Sequence, residues 1–392
     1  MKYLVLIGDG MSDHPLKELK GKTPLEAAKT PNLDFLAQNG LCGWVSNVPK
    51  GMEPASDVAN MSIFGYDPKK YYTGRGPLEA ASLGVRIARD EVAFRCNLVT
   101  VRDRKMKDFT AGHISTAEGT KIIRALDRKL GCREIKFYPG LSYRHLLVIK
   151  TTLACAAVKT TPPHDITNKR IEPYLPQGKG AEVLLQLMNE SEVILHDLPT
   201  KATMIWPWSP GQTPKMPPFR KRYGKKGAII TAVHLLKGLG KVLGMEVINV
   251  PGATGYLDTN YQGKAGYALK ALRRNDIVFV HVEAPDEAGH EGNIRHKIRA
   301  IEDFDRLVVG TILKASRITG SPDVRILVLP DHPTPIKAMT HTAEAVPFAI
   351  YGEGIGGQGI GVRGFNEKEI RKSKLKIQKG DILLGKFLGG EL

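Results

Sequence analysis

Aspartates and histidines gather in the last third of the chain: Asp286-Glu-Ala-Gly-His290, the adjacent pair Asp331-His332 and the single His341. Near the start, Asp9 in Leu6-Ile7-Gly8-Asp9-Gly10 ends the first apolar run. Hard carboxylate oxygens mixed with neutral imidazoles suit zinc, manganese or a similar divalent ion, and this many donors is enough for two ions. Such a set points to metal-assisted chemistry on a phosphate or a related anion. Each piece taken alone has an ordinary reading. An isolated Asp-x-x-x-His recurs by chance, Asp331-His332 before Pro333 could be a surface turn, and His341 between Thr340 and Thr342 could be a loop histidine.

A metal site commonly needs a group to attack with, and Ser56 in Gly51-Met-Glu-Pro-Ala-Ser56-Asp-Val-Ala-Asn60 is the best nucleophile. A helix starting at Ser56 would present the hydroxyl at its N-terminus, where amides and dipole favour an alkoxide or a bound phosphate. The competing reading is simpler, because Ser before Asp-Val-Ala is also a good N-cap.

These residues need elements to hold them. Tyr3 to Ile7 reads as a buried strand, as do Asp276 to His281 and Val324 to Pro330, each followed directly by candidate ligands. Ligands at the carboxyl ends of strands are where an open α/β sheet places its active site. Ile294 to Leu313 reads as an amphipathic helix between two of these strands. Thr23-Pro24-Leu-Glu26 and Thr30-Pro31 open two further helices near the start. In Asp286 and His290 the four-residue spacing would share one face of a helical turn, although Gly289 leaves a loop equally open. The middle differs. Val92 to Val101, Leu146 to Ile149 and Ala154 to Val158 are strand-like, whereas Pro207-Trp-Ser-Pro210 through Pro217-Pro218 reads as a loop or domain boundary. Since Asp9 lies upstream of this block and the other ligands lie downstream, it looks like an insertion into a domain built from both ends of the chain.

At 392 residues two domains are the default, and 42% hydrophobic with 25% charged residues is ordinary for a globular protein. No apolar run approaches the length needed to span a bilayer, and Met1 to Ile7 is too short for a signal-peptide core. A soluble, cytoplasmic protein that binds no membrane is expected. Cys42, Cys96, Cys132 and Cys155 are widely separated, which suggests reduced, mostly buried thiols and no disulfide framework. The net charge of +17 fits either a nucleic-acid binder or a site that collects anions. The basic runs Phe219 to Lys226 and Arg371 to Lys376 lack the interleaved aromatics of a strand-binding platform, so they read as solvated faces and no nucleic-acid partner is expected.

Asp9, Ser56-Asp-Val-Ala-Asn60, Tyr71-Tyr-Thr-Gly-Arg-Gly-Pro-Leu-Glu-Ala80, Ala111-Gly-His-Ile-Ser115, Pro251 to Asn260, Pro285-Asp-Glu-Ala-Gly-His290, Asp331-His332 and His341 together resemble the cofactor-independent phosphoglycerate mutases. The likeness is to the archaeal-type branch, within the alkaline phosphatase superfamily. It implies an α/β fold: a mostly parallel sheet flanked by helices, formed by residues 1–86 and 218–392, with a smaller α/β or α+β substrate domain inserted at 87–217. It implies that Ser56 accepts the phosphoryl group, that Asp9, Ser56, Asp331 and His332 hold one divalent ion, and that Asp286, His290 and His341 hold another. The ions could be manganese, magnesium, cobalt or zinc, and no bisphosphoglycerate cofactor is implied. His113, Arg144 and Lys237 are the implied substrate contacts, and phosphoglycerate the small-molecule partner. A phosphomonoesterase or another phosphomutase on the same scaffold is the nearest alternative, and oligomeric state is left open.

Overall fold

The computed structural model describes residues 1–154, 156–318, 324–355 and 361–390, so Cys155 lies outside the described residues. The chain divides into two compact units, one of residues 1–72 and 216–392 and the other of residues 73–215. The boundary expected at 86/87 therefore falls at 72/73. The reason is local: helix Arg75–Leu83 packs on strands Glu91–Arg102 and Met204–Gly211 and so belongs to the inserted unit.

The larger unit is built on an eight-stranded sheet in the order Lys376–Ile377, Leu41–Val45, Val346–Tyr351, Val324–Leu329, Lys2–Gly8, Ile277–Val282, Gly227–Ile230, Glu246–Ile248. From Val324–Leu329 to Glu246–Ile248 every pairing is parallel, and the antiparallel pairs lie toward the other edge. Lys2–Gly8 sits between two parallel partners with helices over both faces, which is why its sequence is apolar without alternation. The parallel arrangement brings the ends of Lys2–Gly8, Ile277–Val282 and Val324–Leu329 to one edge of the sheet, where Asp9, the segment after Val282 and Asp331 emerge.

The expected helix from Ile294 to Leu313 is present but not uniform. It runs as Ile294–Asp303, widens into a π-helical stretch at Phe304–Val309, and resumes at Gly310–Ile318. The widened turn presents the buried Asp305, whose carboxylate accepts from the backbone N–H of Leu33 at 2.7 Å and of Asn32 at 3.3 Å. Asp305 thus caps helix Pro31–Asn39, and the Thr30 side chain does not. Thr23 caps its own helix as its sequence predicts, accepting from Glu26 N–H at 3.0 Å.

Among its described residues the inserted unit holds five strands that pair only antiparallel, with Glu91–Arg102 at the centre and helices Thr116–Leu130 and Ala181–His196. Two expectations fail here. Ala154 to Val158 forms no strand among its described residues, while Met204–Gly211, read as a loop from its prolines, is a strand. It pairs with Glu91–Arg102 alone, so Pro207 sits on an edge where a missing N–H breaks no second ladder. Trp206 and Trp208 then bury their rings, with indole N–H groups donating to Thr161 O at 2.8 Å and Asn97 Oδ1 at 3.0 Å. Cys42 and Cys96 are buried, whereas Cys132 is exposed. No helix among the described residues is long and apolar enough to cross a membrane.

Candidate metal centre

Asp9 follows strand Lys2–Gly8 directly and is buried. Gly10 after it has a positive φ of 59°, and a Cβ there would stand 2.6 Å from Asp286 Oδ1, so only glycine lets the chain pass so close to that carboxylate. Asp286 and His290 lie on helix Ala284–His290, which settles the choice between helix and loop, with Oδ2 and Nε2 3.2 Å apart. Asp331 and His332 follow strand Val324–Leu329 and are buried at 1% and 0% exposure. His341 comes from the loop beyond, its Nε2 3.4 Å from Asp286 Oδ1.

Two clusters result: Asp286, His290 and His341, and Asp9, Asp331 and His332. Ser56 joins the second, its Oγ 3.2 Å from His332 Nε2. It is the first residue of helix Ser56–Ile63, whose N-cap is Ala55, so the hydroxyl is not spent on capping. Asn60, one turn along, donates from Nδ2 to Asp331 Oδ2 and to Ser56 O, both at 2.8 Å, and fixes nucleophile and ligand to each other.

The donor chemistry fits divalent ions. His290 and His341 face each other through Nε2 at 3.0 Å, while their Nδ1 atoms lie against the carbonyls of Met339 at 3.0 Å and Pro54 at 3.3 Å. Protons placed on Nδ1 for those carbonyls leave two lone pairs converging beside Asp286, an arrangement that a cation between them would satisfy. Met339 holds a left-handed φ of 53° to offer its carbonyl there. On the other side, Asp9 Oδ1 is buried with no hydrogen-bond partner. Burial, with repulsion from Asp331 and Asp286, pushes the Asp9 carboxyl well above its ordinary range, the mark of a site with more negative charge than it can hold alone. Burial also disfavours charge on Asp286, but His290 and His341 outweigh it and hold that carboxyl well below the usual range. Burial opposes a charged His290 too, yet Asp286 raises it to about 9, so in a metal-free centre a proton takes a cation's place. His332 is pushed down by burial despite Asp331, which keeps it neutral as a metal ligand must be.

The other expected contacts lie elsewhere. Lys237, half-buried on helix His234–Val242, donates to Asn249 Oδ1 at 3.0 Å and bonds to none of the cluster residues. In the inserted unit His113 is exposed with a left-handed φ of 53°, and Arg144 opens strand Arg144–Lys150 with its guanidinium over the Tyr143 ring.

Sequence reasoning missed several residues. Thr334 donates to Asp286 Oδ1, and Lys297, fully buried, donates to Asp13 Oδ2 at 2.7 Å and to Thr334 O at 2.7 Å, tying together the segments that follow Asp9 and His332. His281 lies 3.3 Å from Asp9. It had a signal: a histidine and an acid, Glu283, break an otherwise apolar run at its carboxyl end. In the inserted unit Arg95 is 7% exposed, its guanidinium 4.7 Å from the centroid of the Trp208 ring and its Nε without a hydrogen-bond partner. No sequence signal marks it, since it sits mid-strand in Ala93-Phe-Arg-Cys96.

Residues 37–201 match the family model described as 2,3-bisphosphoglycerate-independent phosphoglycerate mutase. A protein of that name from Methanosarcina barkeri is 54% identical over 361 residues, covering 90% of each chain. Another, from Methanothermobacter thermautotrophicus, is 52% identical over 366 residues, covering 91% of this chain and 90% of its own. Among solved structures, a Pyrococcus horikoshii protein superposes with a TM-score of 0.83 at 30% identity, covering 99% of this chain and 96% of its own. The cofactor-independent phosphoglycerate mutase of Thermoplasma acidophilum superposes with a TM-score of 0.65 at 28% identity, covering 99% and 100%.

Proposed function

Since the chain belongs to the family of 2,3-bisphosphoglycerate-independent phosphoglycerate mutases, we propose that it interconverts 3-phosphoglycerate and 2-phosphoglycerate through a phosphorylated Ser56. The observation that carries this reading is the Ser56 hydroxyl at a helix N-terminus, uncommitted to capping and 3.2 Å from His332 Nε2 within the Asp9 and Asp331 cluster. A structural serine would cap the helix instead.

On this reading Asp9, Ser56, Asp331 and His332 hold one divalent ion, and Asp286, His290 and His341 hold the other. When bound, the two ions lower the pKa of the Ser56 hydroxyl and neutralise charge on the transferring phosphoryl group. Ser56 Oγ attacks phosphorus, the phosphoester C–O oxygen leaves with the electron pair, and the proton given up by Ser56 balances that alkoxide. The glycerate then turns, and its other hydroxyl takes the phosphoryl group back with the reverse proton movement. The backbone amides at the start of helix Ser56–Ile63 face the phosphoryl oxygens, and Asn60 keeps Ser56 and Asp331 in register throughout.

Arg144 and Arg95 of the inserted unit are assigned to the glycerate carboxylate, where guanidinium geometry gives a two-point grip. Arg95 strengthens the assignment because its buried guanidinium has Glu79 near it but no hydrogen-bond partner on Nε, a cost that a ligand would relieve. His113 and Lys237 are assigned to further polar contacts with the substrate.

The test is an enolase-coupled assay of the manganese-loaded protein alongside its Ser56→Ala variant. The wild type is expected to form 2-phosphoglycerate without added bisphosphoglycerate, and the variant to lose at least about four orders of magnitude in rate, as removal of a nucleophile does. Stoichiometric release of inorganic phosphate with no 2-phosphoglycerate would make the protein a phosphomonoesterase and overturn the mutase reading.

A further inference from the structure

A carboxylate that holds a metal through one oxygen must be turned so that this oxygen, and not its twin, faces the ion. Asp9 has its two oxygens in different surroundings. Oδ2 lies 3.3 Å from His281 Nε2, whereas Oδ1 lies on the side of His332, 3.7 Å from Nε2, and has no hydrogen-bond partner. His281 is at 0% exposure near the end of strand Ile277–Val282, paired in register with Ile7, two residues before Asp9.

The imidazole is itself fixed from behind. Its Nδ1 lies 3.2 Å from Glu283 Oε1. That oxygen also accepts from Ala232 N–H at 2.6 Å, Thr231 Oγ1 at 2.9 Å and Val233 N–H at 3.3 Å. Glu283 Oε2 accepts from Lys264 Nζ, which donates also to the His281 carbonyl at 3.0 Å. Lys264 is at 0% exposure and Glu283 at 2%. Two backbone amides and a buried ammonium leave Glu283 no freedom to follow a moving ring, so the ring has one orientation. None of these groups belongs to either ligand cluster.

Resting on the two-ion reading above, we infer that His281 is a positioning residue: it occupies Asp9 Oδ2 and so turns Oδ1 toward the ion shared with Asp331 and His332, with Glu283 and Lys264 holding His281 in place. The contact to Asp9 is close but off the line of a good hydrogen bond, so His281 acts as a wall of fixed orientation as much as a donor. Partners of this kind behind a ligand typically change metal affinity by roughly 10- to 100-fold when removed.

The test is calorimetric titration of the full metal-free chain with Mn²⁺, comparing wild type with His281→Asn and His281→Gln. Asparagine places its amide where Nδ1 stood and reaches Glu283 only, while glutamine extends to the position of Nε2 and reaches Asp9. The wild type is expected to take up two ions. His281→Asn is expected to weaken one of them by roughly 10- to 100-fold and leave the other unchanged, and His281→Gln to recover part of the loss. A merely structural role would not separate asparagine from glutamine, nor spare one ion. Equal affinities for both ions in wild type and His281→Asn overturn the inference. So does a third ion bound by wild type and absent from His281→Asn, which would make His281 a ligand. If His281→Asn does not fold, Glu283→Gln carries the same test: one ion weakened supports the inference, and both unchanged overturns it. Absence of any Mn²⁺ binding by wild type would defeat the two-ion reading itself, and is seen before any variant is made.

Discussion

The two units treat buried charge in opposite ways. In the larger unit the buried cations are paired: Lys297 with Asp13 at 2.7 Å, and Lys264 with Glu283. Among the buried atoms there without a hydrogen-bond partner is a carboxylate oxygen beside the ligand clusters, Asp9 Oδ1. In the inserted unit a buried cation and a buried acid each keep an unpartnered atom, Arg95 Nε and Glu79 Oε2, although Glu79 favours the charge on Arg95. Arg95 lies against Trp208 with its Nε unpartnered, and among the described residues no carboxylate is within ion-pair distance of it. The larger unit thus closes its buried lysine pairs, while the inserted unit leaves Arg95 and Glu79 as charges that favour each other without forming an ion pair. The difference teaches that an incompletely paired buried charge is where a ligand would complete the pairing.

That contrast can be broken by removing one cation from each unit. Lys297→Met strands Asp13 and Glu367 in a dry environment, and is expected to destabilise the larger unit by about 3–5 kcal/mol. Arg95→Leu removes a guanidinium whose burial cost is offset only in part by the nearby Glu79, so it is expected to change the stability of the substrate-free protein by no more than about 1–2 kcal/mol. At the same time it should lower kcat/KM by roughly 100-fold or more, the cost of a lost charge-assisted grip. Chemical denaturation and coupled kinetics on the two variants supply both numbers. A destabilising Arg95→Leu with normal kinetics would erase the distinction between the units.

The candidate metal centre was far more legible in the sequence than the proposed anion site, for a physical reason. A carboxylate or imidazole at the end of an apolar strand interrupts a pattern, so Asp9 and Asp331-His332 stand out by position alone. Arg95 interrupts nothing: it alternates with Phe94 and Cys96 as any outward-facing polar residue would, and only tertiary packing, with Trp208 among its neighbours, makes it buried. That packing depends on Met204–Gly211 being a strand, which two prolines disguise. The π-helical stretch was hidden likewise, because Ile294 to Leu313 keeps helical spacing and only the reach of Asp305 to Leu33 shows where the turn widens.

Histidines sharpen the comparison further. In the larger unit Asp286 raises His290 to about 9, whereas in the inserted unit burial lowers His145 from 6.5 to about 3. Gly140 N–H donates to His145 Nδ1 at 3.0 Å, so a proton on that nitrogen would face another N–H. The unfolded chain takes up a proton near 6.5 and the folded one only near 3, so between these values the unfolded state holds more protons. Stability of the inserted unit is therefore expected to fall as pH drops through that window, by about 1.4 kcal/mol per pH unit at its steepest, and to level off below it. Denaturation midpoints followed from pH 7 to 4 should show this slope in the wild type and lose it in His145→Asn. An equal slope in both would assign the acid sensitivity to the carboxylates of the larger unit.

The smallest expected effect concerns a third way of meeting buried charge, neither by an ion pair nor by a ligand. Asp305 is at 0% exposure, and its carboxylate is held by the N–H groups of Asn32 and Leu33 and by Asn32 Nδ2 at 2.9 Å. Burial still raises its pKa, with the amide bonds opposing. Asp305→Asn keeps one acceptor oxygen and is expected to cost about 1 kcal/mol, while Asp305→Ala leaves the first amides of helix Pro31–Asn39 unpaired and is expected to cost about 2 kcal/mol. Because the site lies away from the ligand clusters, both variants should bind Mn²⁺ as the wild type does. Weakened Mn²⁺ binding in either would mean that helix Pro31–Asn39 supports the metal centre, and that the paired charges of the larger unit act on function as directly as the unpaired one.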